Sequence, residues 1–459
     1  MMGLYRKLGS VFSCIILLGL VMVFPGNVQG AGFAIIEQSV SGLGNAFAGG
    51  AASAEDVTTV FFNPAGMTRI DHAEAILGIH WIIPSAEFNN EGSTHVLQPV
   101  TGVPLSGGNG GDGGVNVLVP NIYYVRPLGK GVTFGLGINA PFGLATEYDS
   151  NWVGRYHAVK SDLVSINVNP SVAYKVNNHL SLGAGFSIQY LEAELTNAID
   201  FGTLDAIGAF TPLGIPAGAL GLIPQGSDGF IRLEGDSIGF GFNLGLLYEF
   251  TENTRLGLAY RSRVYQDVEG DADFSGVPAG LAAAPLFKDT GAEAKITLPD
   301  MASISLYHRF NPQWAVMADI TWTDWDVMKE LRFKFDNPFQ SDGVTTLNWE
   351  DAFRYSLGVT FNPNERLAVR GGIAYDETPI PDPQHRTPRI PGEDRLWLSF
   401  GLGYRISDSF SVDLGYAHLF VDDPRIDKSP TGEDAVRGGL KGTFDASVDI
   451  ISGQIVWRF

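Results

Sequence analysis

Cysteine is nearly missing. Cys14 is the only one in 459 residues, so everything after it lacks a thiol for a disulfide, a thiolate metal site or a nucleophile. Long apolar runs are also scarce. Beyond Val11 to Phe24, no segment reaches the roughly 18 uninterrupted apolar residues of a membrane helix, which excludes a helical membrane bundle. Positive charge is short, with 30 Lys and Arg against 50 Asp and Glu, and such a balance excludes nucleic acid as a natural partner. Catalytic signatures are missing as well. The eight histidines, His72, His80, His95, His157, His179, His308, His385 and His418, are scattered, with no HxxxH or HxH pair to hold a metal. No GxSxG nucleophile motif occurs. The glycine cluster Gly107 to Gly114 has no following Lys-Ser or Lys-Thr, so it is a flexible loop and not a phosphate cradle. Neither an enzyme nor a metal or cofactor protein is expected. Glu192 and Glu194, two apart on one strand, are expected to share an inner, wet face.

What is present is alternation. About fourteen stretches of alternating apolar and polar residues run from Ala73 to Phe459. Tight-turn residues join them at Pro127-Leu128-Gly129-Lys130-Gly131, Asn177-Asn178, Thr251-Glu252-Asn253, Asn311-Pro312, Asn362-Pro363-Asn364 and Ser407-Asp408. Between these short joins lie long ones, such as Asn89 to Val115, Asn197 to Phe230 and Glu377 to Glu393. In lipid an unpaired strand edge is prohibitive, so short turns alternating with long loops describe a closed antiparallel β-barrel with both ends on the turn side. The last strand shows the period: Ile451, Gly453, Ile455, Trp457 and Phe459 share one face, while Ser452, Gln454 and Arg458 share the other and Val456 breaks its polarity. A terminal aromatic such as Phe459 is the usual signal to the bacterial barrel-assembly machinery. A soluble β-sandwich would show one such strand, not about fourteen.

The start of the chain supplies the address. Arg6 and Lys7 precede the apolar run, and Pro25 and the small residues around Val28-Gln29-Gly30 follow it, the order of a secretory signal peptide. Cleavage is placed before Ala31, and Cys14 comes too early in the apolar core for a lipoprotein. Removing Arg6 and Lys7, and no acidic residue, leaves a net charge near −22. Acidic loops at a lipopolysaccharide surface, bridged by divalent cations, account for this charge. The expected organisation is a signal peptide over 1–30, a small-residue segment over 31–72 and a transmembrane barrel over 73–459, acting as a monomer in the bacterial outer membrane.

Residues 31–71 are too rich in Gly, Ala and Ser, and too weakly periodic, for a strand or a separate domain. Such a segment before a barrel is expected to fold inside it, with Asn63-Pro64 as a stop. Ala31-Gly32-Phe33, Glu37-Gln38, Ser41-Gly42-Leu43-Gly44, Ala46-Phe47-Ala48-Gly49 and Asn63-Pro64-Ala65 resemble the hatch of the FadL family of outer-membrane transporters of hydrophobic compounds. The resemblance continues through Val119-Pro120-Asn121, Tyr260-Arg261-Ser262, Leu298-Pro299-Asp300, Pro312-Gln313-Trp314 and Asp394-Arg395-Leu396-Trp397-Leu398. It implies a 14-stranded antiparallel transmembrane β-barrel plugged by an N-terminal hatch, in which Phe33, Asn63, Pro64 and Ala65 are marker positions.

Three places point to a ligand. Phe201 to Ile223 and Gly276 to Phe287 are loops with one charge between them, Asp205; so large an apolar patch in water calls for a greasy ligand, a membrane, or mutual packing as a lid. In the resembled family two such loops capture the hydrophobic molecule, which makes Phe201, Leu204, Ile207, Phe210, Leu213, Leu220, Leu222, Leu281, Leu286 and Phe287 the candidates here. Second, Asn139 to Leu144 interrupts the third strand, because Pro141 cannot donate to a ladder and Gly143 favours a bulge. The resemblance implies that a kink at Pro141, Phe142 and Gly143 makes a side window for lateral exit into the membrane. Third, a fatty-acid carboxylate calls for a positioned cation. Where the family's fatty-acid members place basic residues, near Leu195 to Ile199 and Val344 to Asn348, this chain has Asn197 and Thr345. Arg354, Arg370 and Arg395 are the alternatives, which leaves both fatty acids and neutral aromatic or aliphatic hydrocarbons open. The expected function is passive transport of hydrophobic molecules; a diffusion porin for polar solutes and a structural or adhesive barrel are the competing readings.

Overall fold

The computed structural model describes residues 32–459; the expected leader over 1–30 and the cleavage point before Ala31 lie outside the described residues. Fourteen strands close into one antiparallel barrel. They are β1 Glu74–Asn90, β2 Val117–Gly129, β3 in two parts Val132–Asn139 and Gly143–Glu147, β4 Lys160–Lys175, β5 Leu180–Asp200 and β6 Asp228–Thr251. Next come β7 Thr254–Arg261 and Val264–Ser275, β8 Thr290–Leu298 and Met301–Arg309, β9 Trp314–Thr323 and Glu330–Phe335, and β10 Gly343–Thr346 and Ala352–Phe361. The last four are β11 Leu367–Asp376, β12 Arg395–Arg405, β13 Phe410–Val421 and Arg425–Asp427, and β14 Lys441–Arg458. The ladder from Glu74↔Arg458 to Asn90↔Gly442 joins β1 to β14, which removes the sheet edge.

Short polar side chains shape the tight turns. In three of them an asparagine side chain accepts from two backbone N–H groups further on: Asn177 from His179 and Leu180, Asn311 from Gln313 and Trp314, Asn364 from Arg366 and Leu367. Both ends of the barrel meet on this side, where the Phe459 N–H donates to the Ala73 carbonyl at 2.9 Å. Outward faces are apolar, as in β12, where Leu396, Leu398, Phe400, Leu402 and Tyr404 are exposed while Trp397 and Ser399 are buried inward. Glu192 and Glu194 lie on the outer face and not on the inner one: Glu192 is exposed and accepts from Tyr190, and Glu194 pairs with Lys160 and Arg232. Buried Leu191 and Leu195 take the inner positions. Long strands continue above the lipid, and there an outward carboxylate faces water or lipid headgroups.

Strands β7 to β10 each break at one level. At the β7–β8 break, Asp300 accepts from the Arg263 N–H at 2.9 Å and from its Nε at 2.5 Å, and the Tyr260 hydroxyl donates to it at 2.5 Å. Pro299 cannot supply a ladder donor, and the carboxylate beside it takes up the freed groups.

Inside the barrel, residues 32–70 form short helices over Val40–Gly44, Gly50–Ser53 and Thr59–Phe62 and a 3-10 helix over Pro64–Arg69. Asn63 is fully buried at their centre; its side-chain oxygen accepts from the Ala65 N–H at 3.0 Å, and its amide donates to the Ala51 and Leu246 carbonyls at 2.6 and 3.0 Å. Glycines on the facing wall make room: a Cβ on Gly245 would lie 2.0 Å from the Asn63 oxygen, and one on Gly257 1.9 Å from the Ala51 carbonyl. Three barrel arginines that form no ion pair among the described residues clamp the segment through its carbonyls. Arg255 donates to Ala52 and Ser53, Arg261 to Phe61 and Arg354 to Ala46, and each lies over an aromatic ring.

Candidate ligand path and wall opening

At the mouth, the loops 201–227 and 276–289 pack on each other. Phe201, Phe210 and Leu281 are buried in one cluster, with Leu204, Leu220, Leu222 and Phe287 around them. Ile207, Leu213 and Leu286 stand outside this cluster, and Ile207 is exposed. Asp205 is structural: buried, it accepts from the Leu220 and Leu222 N–H groups at 3.3 Å each and so folds the loop back on its short helix. These loops therefore form a small apolar core with exposed apolar tips, Ile207 and Ile223.

Below them apolar contact runs inward without a break. Phe287 meets Phe274 at 5.8 Å between ring centroids, and Phe274 meets Phe335 at 6.5 Å. Leu195, Ile231 and Leu233 continue the surface down the wall. There a cavity of about 90 Å³ opens, lined by Leu195, Leu233, Leu331, Phe333, Thr345 and Arg389 among others. Its floor is the Phe33 ring. Phe33 packs against Trp325 at 5.0 Å, Phe142 at 5.9 Å and Trp349 at 6.0 Å. The two tryptophans lie in the breaks of β9 and β10, which turn them into the lumen.

Beyond Phe33 lies a larger cavity of about 580 Å³, and Phe33, Leu144, Leu163 and Ile390 line both spaces. This second cavity reaches through the wall, since it also touches Leu118, Ile138, Val164 and Ile166, all exposed on the lipid face. The ladder shows why. The β2–β3 pairing starts at Ile122↔Ile138 and runs only toward the turn, so Val117 to Asn121 pair with β1 and with nothing on the β3 side. The second half of β3 pairs with β4 alone, from Gly143↔Val164 to Glu147↔Lys160. A single bridge, Gly114↔Thr146, closes the gap above.

The N-terminal segment supplies the partners that the interrupted strand lacks. The Ile35 N–H donates to the Pro141 carbonyl at 2.9 Å, the Gly143 N–H to the Phe33 carbonyl at 3.0 Å, and the Gln38 amide to the Ala140 carbonyl at 2.8 Å. On the other side, the Ser165 hydroxyl accepts from the Phe142 N–H at 2.9 Å and donates to its carbonyl at 2.6 Å. Gly143 leaves room for the Ile35 side chain, whose end would lie 2.6 Å from a Cβ there and would have to shift.

The cations sort differently from the sequence expectation. Arg370 pairs with Asp413 at 2.8 Å and Glu55 at 3.4 Å, Arg395 pairs with Asp376 at 3.2 Å, and Arg354 holds the Ala46 carbonyl. None of these three lines the 90 Å³ cavity; Arg389, from the loop 377–394, does. It reaches Asn197, one of the two positions where a basic residue is wanting, and the other, Thr345, lines the same cavity.

A family model described as outer membrane protein transport protein (OMPP1/FadL/TodX) matches residues 21–459. The chain belongs to this family. It is 33% identical over 415 residues, covering 87% of this chain and 89% of the relative, to the long-chain fatty acid transport protein of Escherichia coli O6:H1. The crystal structure of a Pseudomonas aeruginosa FadL homologue superposes with a TM-score of 0.83 at 25% identity, covering 94% of this chain and all of that one. The Pseudomonas putida toluene transporter TodX shares the fold, with a TM-score of 0.65 at 20% identity, covering 88% of this chain and 94% of that one. The protein is thus an outer-membrane β-barrel of a transport family.

Proposed function

We propose that this chain carries hydrophobic molecules passively across the outer membrane: the apolar outer loops take up the molecule, the lumen passes it toward Phe33, and it leaves sideways through the gap between β2 and β3 into the lipid. The observation that carries this reading is continuity. One apolar surface runs from the loop cluster at Phe201 and Phe287, past the cavity at Leu195 and Phe333, to a wall gap rimmed by lipid-facing Leu118 and Val164. A molecule more soluble in lipid than in water follows such a path downhill, and one barrel contains all of it. Residues 31–72 act as the hatch. A polar solute would need an open aqueous lumen, and the clamped segment with its buried Asn63 fills that space.

The test joins two measurements on one pair of proteins, wild type and a deletion of Ala31 to Met67. In planar bilayers the wild type should show little conductance and the deletion a large rise. In cells lacking other carriers, the wild type should take up a labelled long-chain fatty acid or toluene faster than empty-vector cells. Open-porin conductance by the intact protein, with no uptake of either probe, would overturn the reading.

A further inference from the structure

The turn end of the barrel carries a charge pattern that transport does not use. The chain is strongly acidic, with 30 Lys and Arg against 50 Asp and Glu, yet two neighbouring turns there hold bases and no acid. They are the β2–β3 turn, with Arg126 and Lys130, and the β4–β5 turn, with Lys175. The Lys175 N–H donates to the Gly131 carbonyl at 2.8 Å, which sets the two turns side by side. All three bases are exposed, and none forms an ion pair among the described residues. Elsewhere on this end the charges are mixed or taken. Arg69 pairs with Glu249, Arg309 donates to the Asn253 side chain at 2.8 and 3.0 Å, Glu365 stands beside Arg366, and Arg405 shares its turn with Asp408. On the β1 side, Asp71 is held by His72 at 2.6 Å and Glu74 by Arg458 at 2.9 Å.

The same two turns expose apolar side chains between their bases. Leu128 is 61% exposed in the first, and Val176 and Tyr174 are exposed in and beside the second. A turn bathed in water is polar, as the asparagine turns are, whereas a leucine flanked by bases suits a place where hydrocarbon gives way to head groups. The aromatic girdle marks that level: Tyr124 meets Phe459 at 6.5 Å between ring centroids, and Phe459 meets Trp457 at 4.2 Å. Long basic side chains at such a level lay their stems on apolar surface and lift the charge to the phosphates. Lys130 adds a backbone observation. Its φ is 52°, between Gly129 at 86° and Gly131 at 77°, a left-handed place that favours glycine or asparagine. A lysine is kept there against the preference of its own backbone, which points to work for its side chain.

We infer that Arg126, Lys130 and Lys175, with Leu128 and Val176 between them, form a binding surface for an anionic phospholipid of the periplasmic leaflet, whose phosphate the three bases share and whose acyl chains lie against the outer wall. Short turns face the periplasm, so this is the leaflet within reach. The occupant follows from the two properties together, since an acidic soluble partner matches the bases and leaves Leu128 and Val176 in water. Strands β2, β3 and β4 also bound the wall gap, so the lipid is held at the turn end of that opening. Nothing in this depends on which molecule the lumen carries.

The test uses the full mature chain in phosphatidylcholine nanodiscs doped with brominated phosphatidylglycerol or, in parallel, brominated phosphatidylcholine of the same acyl chains. A fluorophore on Val176→Cys reports quenching at the patch, and one on Ser409→Cys reports it at the β12–β13 turn, where Arg405 and Asp408 are both present. At Val176 the anionic quencher should be preferred, with each base contributing roughly fivefold, and the preference should fall as salt is raised. At Ser409 the two quenchers should act alike. Replacing Arg126, Lys130 and Lys175 together with Gln should abolish the preference, with heat-modifiable migration confirming the barrel. Should that variant not assemble, Lys130→Asn, which suits the left-handed backbone, should by itself lower the preference roughly fivefold. Equal quenching by the two lipids at Val176, an equal preference at Ser409, or a preference untouched by these substitutions would overturn the inference. Inorganic phosphate should displace the lipid no better than chloride at equal ionic strength; specific displacement would overturn lipid as the occupant.

Discussion

Phe33→Ala separates a gate from a filler, because the Phe33 ring packs at once against Trp325, Phe142 and Trp349 while lining both cavities. The ring is 5% exposed, and truncating a buried phenylalanine costs about 3 to 5 kcal/mol. That loss falls on the docking of residues 33–38 and not on the barrel, whose ladders do not include Phe33. Against it stand the Ile35, Gly143 and Gln38 hydrogen bonds, each contributing about 0.5 to 1.5 kcal/mol net. The three together contribute about 1.5 to 4.5 kcal/mol, so the ring supplies about as much as all of them. Removing it should lower the local opening free energy by about 3 kcal/mol, which is roughly a hundredfold in an opening equilibrium. Hydrogen–deuterium exchange followed by mass spectrometry should show the Ile35 and Gly143 amides exchanging about that much faster, with β12 unchanged. The truncation also merges the two cavities, so uptake of a hydrophobic probe should rise. Phe33→Leu keeps a partition and should change uptake little. Unchanged protection at Ile35 would refute the docking argument, and faster exchange with wild-type uptake would show that the ring is not the barrier.

Two further expectations concern the same gap. Ser165→Ala removes both side-chain partners of the buried Phe142 backbone, at about 1 to 3 kcal/mol for each group left unsatisfied; faster exchange at Phe142 and Gly143 should follow, Ser165→Thr should restore protection, and no change would mean that another group satisfies that backbone. Burial raises the Glu37 pKa to about 7 against partial relief from its own backbone, Arg395 and Arg354, while Asp376 adds to the rise. A carboxyl raised on docking stabilises the docked segment most below its ordinary value of 4.5, and this contribution is lost as pH rises through about 7. A spin label at Ile36 should therefore become more mobile between pH 5 and 8 in the wild type and show no such trend in Glu37→Gln; mobility that falls with rising pH contradicts the sign.

How much of this was legible in the sequence depended on the range of the interaction. The asparagine turns act within three residues, and the β12 alternation is a property of one strand, so both are visible in the text of the chain. The interruption of β3 is visible too, since Pro141 announces its missing donor locally. What fills the interruption is not: Ser165 lies on the next strand and Gln38 about a hundred residues back. The outer face taken by Glu192 and Glu194 is not legible, because alternation assigns two faces without saying where the lipid ends, and above that level an outward carboxylate is at no disadvantage.

Arg389 shows the limit most sharply. Two of its acceptors, on Thr196 and Asn197, lie 193 and 192 residues away in the chain, in a stretch with no basic residue of its own. Read locally, that stretch lacks a cation. Folded, the loop 377–394 delivers one from the far side of the barrel to the same place. The apolar loops teach the reverse lesson, because composition marked them as unusual but is blind to whether apolar side chains face a ligand or one another. Phe201, Phe210 and Leu281 are buried together, while Ile207 and Ile223 remain in water. A capture surface and a lid core draw on the same residue types, so only the packing separates them. By the same reasoning, the wall glycines Gly245 and Gly257 look like weak points in strands until the Asn63 side chain and the Ala51 carbonyl are seen to occupy the space their missing side chains leave.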